Sequence, residues 1–185
     1  MNRFPRRWPS LATAVSSVSL FVALVFAATA VAVPSAAPDP SKLILARSDF
    51  PAGTKYTGQD MPANYTQALA KAGITAKAKA YYVDFHKGHY VSGIVTTTGS
   101  PSQATKLFKF SKADLLKDAA RIGLPGSYGD EQIALFTTSV GKVALLVRKN
   151  RMVWEVDVLL GVPKATALAE IKKYAAKQQR RIGSG

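Results

Sequence analysis

The chain contains no cysteine. That excludes a disulfide, a thiolate metal site, a thiol nucleophile and the lipid-modified cysteine of a lipoprotein. Histidine is almost as scarce, with only His86 and His89. Acid is in short supply: 11 Asp and Glu stand against 25 Lys and Arg, a formal net charge of +14. Without crosslinks the interior must be built from Leu, Ile, Val, Phe and Tyr, which are plentiful.

The first residues are organised differently from the rest. Met1 to Pro9 carries Arg3, Arg6 and Arg7 and no acid. Leu11 to Val33 carries no charge, and Leu20-Phe21-Val22-Ala23-Leu24-Val25-Phe26 is strongly apolar. Pro34-Ser35-Ala36-Ala37-Pro38 follows, small and turn-prone. A basic start, an apolar run and a small-residue exit describe a secretory signal or an N-terminal membrane anchor. Cleavage would follow Ala32 or Ala37. Retention is the other reading, because roughly 20 apolar residues span a bilayer. Residues 1–37 are thus expected to be signal or anchor, and 38–185 a single extracytoplasmic domain.

Along that domain, Leu43-Ile44-Leu45 can anchor a lead-in, and Ser48 to Gly53 reads as a turn. Thr57 to Pro62 reads as polar loop. Asn64 to Ala72 predicts a short helix with Ala68, Leu69 and Ala72 inward and Gly73 as its stop. Ala78 to Phe85 and Tyr90 to Thr98 predict a hairpin. Gln103 to Phe110 reads as helix, and Ser111 to Ile122 as its continuation or restart, with Ser111 and Asp114 resembling a capping box. After the loop Gly123 to Asp130, three strands are expected: Gln132 to Ser139, Lys142 to Arg148 and Met152 to Leu160. The last alternates most clearly, Met152, Trp154, Val156 and Val158 against Val153, Glu155, Asp157 and Leu159. Gly161-Val162-Pro163 ends it. Lys164 to Arg181 predicts a closing helix with Leu168, Ile171, Ala175 and Ile182 on one face, and Ile182 to Gly185 is expected to fray.

Candidate chemistry is thin. His86 and His89 are two ligands where zinc takes three or four. Asp130 with Glu131, and Glu155 with Asp157, are paired carboxylates of the kind that serve acid–base catalysis when their environments differ. Cross-strand ion pairing with Arg148 and Arg151 is the simpler account. No Gly-x-Ser-x-Gly elbow, Walker or Rossmann spacing occurs. Tyr81, Tyr82, Phe85 and Tyr90 crowd one hairpin among Lys77, Lys79 and Lys87, a mixture that can stack bases or sugars or simply fill a core. No cofactor or metal is expected, and nucleic acid conflicts with export.

The order of elements resembles a group of small exported bacterial proteins. Three places carry the likeness: Asp49-Phe50-Pro51-Ala52-Gly53, Tyr128-Gly129-Asp130-Glu131, and the turn Val147-Arg148-Lys149-Asn150-Arg151-Met152-Val153. Proteins similar in layout include the extracytoplasmic sensor domains of bacterial kinases and the PsbP/Mog1-like domains. The resemblance implies a curved antiparallel sheet with helices packed on it, and a binding or scaffolding role. The sensor domains often carry disulfides, which this chain cannot form.

These readings combine into one expectation: an α+β domain with a curved antiparallel sheet of about five strands, a hairpin plus a three-strand meander. Two or more helices would pack on one face and leave the other open. The expected role is non-catalytic binding or assembly at the cell envelope. Lys142, Arg148, Lys149 and Arg151 flank the meander turns and could meet an acidic envelope protein. Lys172, Lys173, Lys177, Arg180 and Arg181 could meet anionic lipid or a cell-wall polymer. For Lys177, Arg180 and Arg181 the helix dipole is a sufficient alternative reason. The competing function is a small extracytoplasmic hydrolase using a carboxylate near residues 123–131.

Overall fold

The computed structural model describes residues 37–85, 88–159 and 163–183. These belong to the unit spanning residues 35–185. The apolar leader, the site after Ala32, His86, Lys87, Gly161-Val162 and the terminal Ser184-Gly185 lie outside the described residues. No helix among the described residues is long and apolar enough to cross a membrane.

The elements are α1 (Pro40–Leu43), a 3-10 turn (Arg47–Asp49), β1 (Lys55–Asp60), α2 (Ala63–Lys71), β2 (Ala76–Asp84), β3 (Tyr90–Thr98), α3 (Pro101–Leu115), β4 (Ala120–Ile122), β5 (Glu131–Thr137), a second 3-10 turn (Thr138–Val140), β6 (Lys142–Lys149), β7 (Met152–Leu159) and α4 (Lys164–Gly183). The strands form one seven-stranded sheet in the order β1-β2-β3-β7-β6-β5-β4. Every pairing is antiparallel. Two meanders, β1-β2-β3 and β4-β5-β6-β7, are therefore sewn together where β3 meets β7. The expected hairpin and three-strand meander are both present. The sheet has seven strands rather than about five because each meander gains an edge. β1 occupies residues expected to be loop, and its polar sequence is that of a solvent-facing edge strand. β4 takes the end of the stretch expected to stay helical.

Helices cover both faces, not one. On one face, successive register rows bring together Tyr56, Val83, Val91, Val158 and Val143, then Tyr81, Gly93, Val156 and Leu145, then Val95, Trp154 and Val147. α1 and α4 pack here, α4 through Ala167, Ile171, Tyr174, Ala175 and Ile182. On the other, Ile133, Leu135, Ala144, Leu146 and Val153 meet Leu69 and Ile74 beside α2 and Ala104, Leu107, Phe108 and Leu115 of α3. The reason is visible in β6. Val143-Ala144-Leu145-Leu146-Val147 is buried at every position, as a strand covered on both faces requires.

Local signals set the element ends. After α2, Gly73 adopts φ +69°, with Gly73 N–H donating to Ala70 O and Ile74 N–H to Leu69 O at 2.9 Å each. This is the Schellman pattern, with Leu69 and Ile74 both buried. α3 runs unbroken through Ser111, so its cap is not the Ser111–Asp114 box. Ser100 Oγ accepts from Gln103 N–H at 3.2 Å, ahead of Pro101 in the first turn.

Candidate functional site

The basic residues singled out in the sequence include some held by oxygens of other elements and some with no carboxylate in reach among the described residues. Arg148 sits at the end of β6, opposite Glu131 in register. Its Nε donates to Glu131 at 2.8 Å and its Nη1 to Asp130 at 3.1 Å. Asp130 Oδ2 also accepts Asn150 N–H at 2.7 Å. Asn150 carries a φ of 51° in the β6–β7 turn, a conformation Asn tolerates better than most residues. One guanidinium thus pairs with both carboxylates of the candidate acid–base pair and orders the corner. His89 is bound elsewhere: its ring pairs with Glu170 of α4 at 2.7 Å and stacks on Phe85 at 4.6 Å. Among the described residues, no group of three or more His, Asp and Glu is placed to hold a metal ion.

Lys142 starts β6 and donates to Asp157 Oδ2 at 3.2 Å. It lies at the opposite end of β6 from Arg148, about 20 Å away at strand rise, so the two do not form one patch. Lys149 and Arg151 bracket Asn150, and Arg151 O accepts from Thr98 N–H at 2.8 Å and from Thr98 Oγ1 at 2.9 Å.

α4 divides in the same way. Lys177 Nζ donates to Asp49 O. Arg181 pairs with Asp49 Oδ2 at 2.7 Å, and Ala46 N–H donates to that same oxygen at 2.8 Å. The Asp49 turn is thereby fastened to the inner flank of α4, a contact the sequence reading did not anticipate. A lone acid in a Ser-Asp-Phe-Pro turn gives no sign of a partner more than a hundred residues away. Lys173 and Arg180, two helical turns apart, are exposed, and Lys172 is half-buried. Among the described residues none of these three has a carboxylate within ion-pair distance. Lys173 Nζ lies 5.3 Å from the centre of the Tyr174 ring, and Lys164 Nζ 4.8 Å from that of Phe136.

The aromatic residues of the β2–β3 hairpin also separate. Tyr81 is 1 % exposed and points toward α4, where its ring packs 5.7 Å from Phe50 and 6.4 Å from Tyr56. Phe85 flanks the same cluster. Tyr82 is 39 % exposed on the other face, and its ring stacks on Tyr90 at 5.2 Å and 29°. Partial burial, with Tyr90 and Asp84 nearby, pushes the Tyr82 hydroxyl up to about 12.

No protein-family model matches the sequence. No curated protein matches it either. Among solved structures the chain is similar to the extracellular domain of PknH from Mycobacterium tuberculosis, at 12 % identity and a TM-score of 0.46, over 76 % of this chain and 94 % of that one.

Proposed function

We propose that this chain is an exported, non-catalytic binding domain of the bacterial cell envelope, and that it holds an anionic lipid, wall polymer or acidic envelope protein by the outer face of α4. The observation that carries the reading is the division of cations on that helix. Lys177 and Arg181 are committed to Asp49, whereas Lys172, Lys173 and Arg180 stand without a carboxylate among the described residues. A one-signed row on a rigid helix attracts polyanions and brings no shape specificity of its own. Export is supported by Arg3, Arg6 and Arg7 ahead of the uncharged run to Val33.

The test is retention of the full chain on phosphatidylglycerol vesicles and on soluble poly(glycerol phosphate), with phosphatidylcholine vesicles as the neutral control. Retention should fall steeply as salt rises, and Lys173→Glu combined with Arg180→Glu should abolish it while leaving the fold intact. Retention that ignores both salt and charge reversal would refute the reading.

A further inference from the structure

On the face opposite α4, helices α2 and α3 cover the rows around Thr96, Val153, Leu146 and Leu135. The rows nearer the β2–β3 turn are less covered. Tyr82 is exposed there, and Tyr90, Ile94 and Leu159 are half-buried. These four belong to neither core cluster. Tyr90 lies opposite Leu159 in register, and Tyr82 lies opposite Ser92, which lies opposite Asp157. The strip therefore presents two stacked rings and, on the adjoining strands, a hydroxyl and the Lys142–Asp157 pair. Asp157 Oδ1 lies buried beneath the strip, with no hydrogen-bond partner among the described residues.

The sign of charge narrows what this strip can hold. Asp84, Glu155 and Asp157 share the face with Lys142 and with Lys55, which lies opposite Asp84 in register, so acids and bases nearly balance here on a chain of net charge +14. A polyanion is drawn to α4 on the far face and gains little from so balanced a strip. An uncharged sugar ring meets both parts of the strip. Its C–H face covers an aromatic ring, and its hydroxyls exchange hydrogen bonds with a serine, a carboxylate and an ammonium. We propose that the strip is a saccharide subsite, in which Tyr82, backed by Tyr90, carries a neutral sugar ring beside Ser92 and the Lys142–Asp157 pair. The inference rests on the binding-domain reading but uses a different face and a different chemistry.

The test is calorimetric titration of the full chain with two neutral probes, chitotetraose and maltohexaose. Saturable binding of at least one is expected, and it should persist at high salt because no charge is neutralised. Tyr82→Ala should weaken it about 10- to 100-fold, the scale of losing one stacking ring. Tyr82→Trp should retain it. Tyr82 is exposed, so both variants should fold, which near-ultraviolet circular dichroism checks. The Lys173→Glu, Arg180→Glu variant should bind the sugar normally, which separates this subsite from the α4 surface. Failure of both probes, or sugar binding indifferent to Tyr82→Ala, would overturn the proposal. So would a polypeptide partner that protects Tyr82 while neither sugar binds.

Discussion

Gly93→Ala should be among the most damaging single-methyl changes in the sheet. Gly93 lies in the middle of β3, between Tyr81 and Val156 in register. A Cβ placed there would stand 2.6 Å from Tyr81 Cε1 and Oη and 2.7 Å from Glu155 O. All three distances are shorter than real side chains tolerate, and one belongs to backbone. Tyr81 has little room to retreat, since Phe50 and Tyr56 pack on it and it is 1 % exposed. Overpacking of this kind costs about 1–3 kcal/mol. Replacing glycine in a strand recovers about 0.5–1 kcal/mol of that. The expected net loss is about 0.5–2 kcal/mol, a urea midpoint lower by about 0.25–1 M at ordinary denaturant dependence. Gly58→Ala is the control. Gly58 faces Tyr81 from β1, but its added methyl would find only Tyr56 ring atoms, the nearest at 3.4 Å. That is ordinary contact, so the glycine term acts alone and the midpoint should match the parent or rise by up to about 0.5 M. Tyr81→Leu removes the ring atoms that the new methyl would meet and should accept Gly93→Ala at lower cost, so the two changes should be non-additive. If Gly93→Ala unfolds at the parent midpoint, Tyr81 does not lie over Gly93 and the core arrangement is wrong.

Two further outcomes test the packing. Asp49→Ala removes the acceptor of both Ala46 N–H and Arg181 and should cost about 1–3 kcal/mol in a thermal melt; Arg181→Ala should cost less, since the carboxylate then keeps Ala46 N–H, and equal losses would show that the backbone contact is idle. Burial is the first cause raising the hydroxyls of Tyr56, Tyr65, Tyr81, Tyr82 and Tyr174 above their usual 10.0. A raised native value means that the folded chain holds these protons more tightly, so this stability is intact below pH 10 and is lost as pH rises through the native values, about 12 for Tyr82. Each tyrosine contributes a slope of up to about 1.4 kcal/mol per pH unit in that window. Tyrosinate absorbance should therefore rise in step with loss of circular dichroism; five phenols ionising near pH 10 in an intact fold would contradict their burial.

Elements with a strong local period were legible in the sequence. β7 shows its alternation, and α4 its inward face, because packing there simply follows the apolar residues. Gly73 was legible as a stop because one backbone conformation requires it. β1 was not, since an edge strand of Lys, Tyr, Thr, Gly, Gln and Asp has the composition of a loop and is set by pairing with β2. β4 is short and owes its state to β5. The second helical layer was signalled in the run Val143 to Val147, which alternation alone cannot read. The candidate sites were less legible still. Neither Asp49 with Arg181 nor His89 with Glu170 is a neighbour in sequence, and which tyrosine of Tyr81-Tyr82 faces outward depends on where the helices land.

The acids decide what the bases can do. Asp49, Asp60, Asp130, Glu131, Asp157 and Glu170 each hold a cation or histidine from another element. With 11 acids against 25 Lys and Arg, surplus cations must go somewhere, and crowding them on one helix costs repulsion. The helix dipole offsets this for Arg180 and Arg181, which lie in the last turn of α4. It does not reach Lys172 and Lys173, because the effect fades beyond the terminal turn. Those two lysines sit mid-helix, beyond any dipole benefit and with no described carboxylate in reach. General solubility would be served as well by cations on any exposed surface. An external polyanion gives a reason for cations on this helix in particular, and it makes Lys172 and Lys173 the positions where charge removal should cost binding with the least change in stability, Arg180 adding the small loss of its dipole interaction.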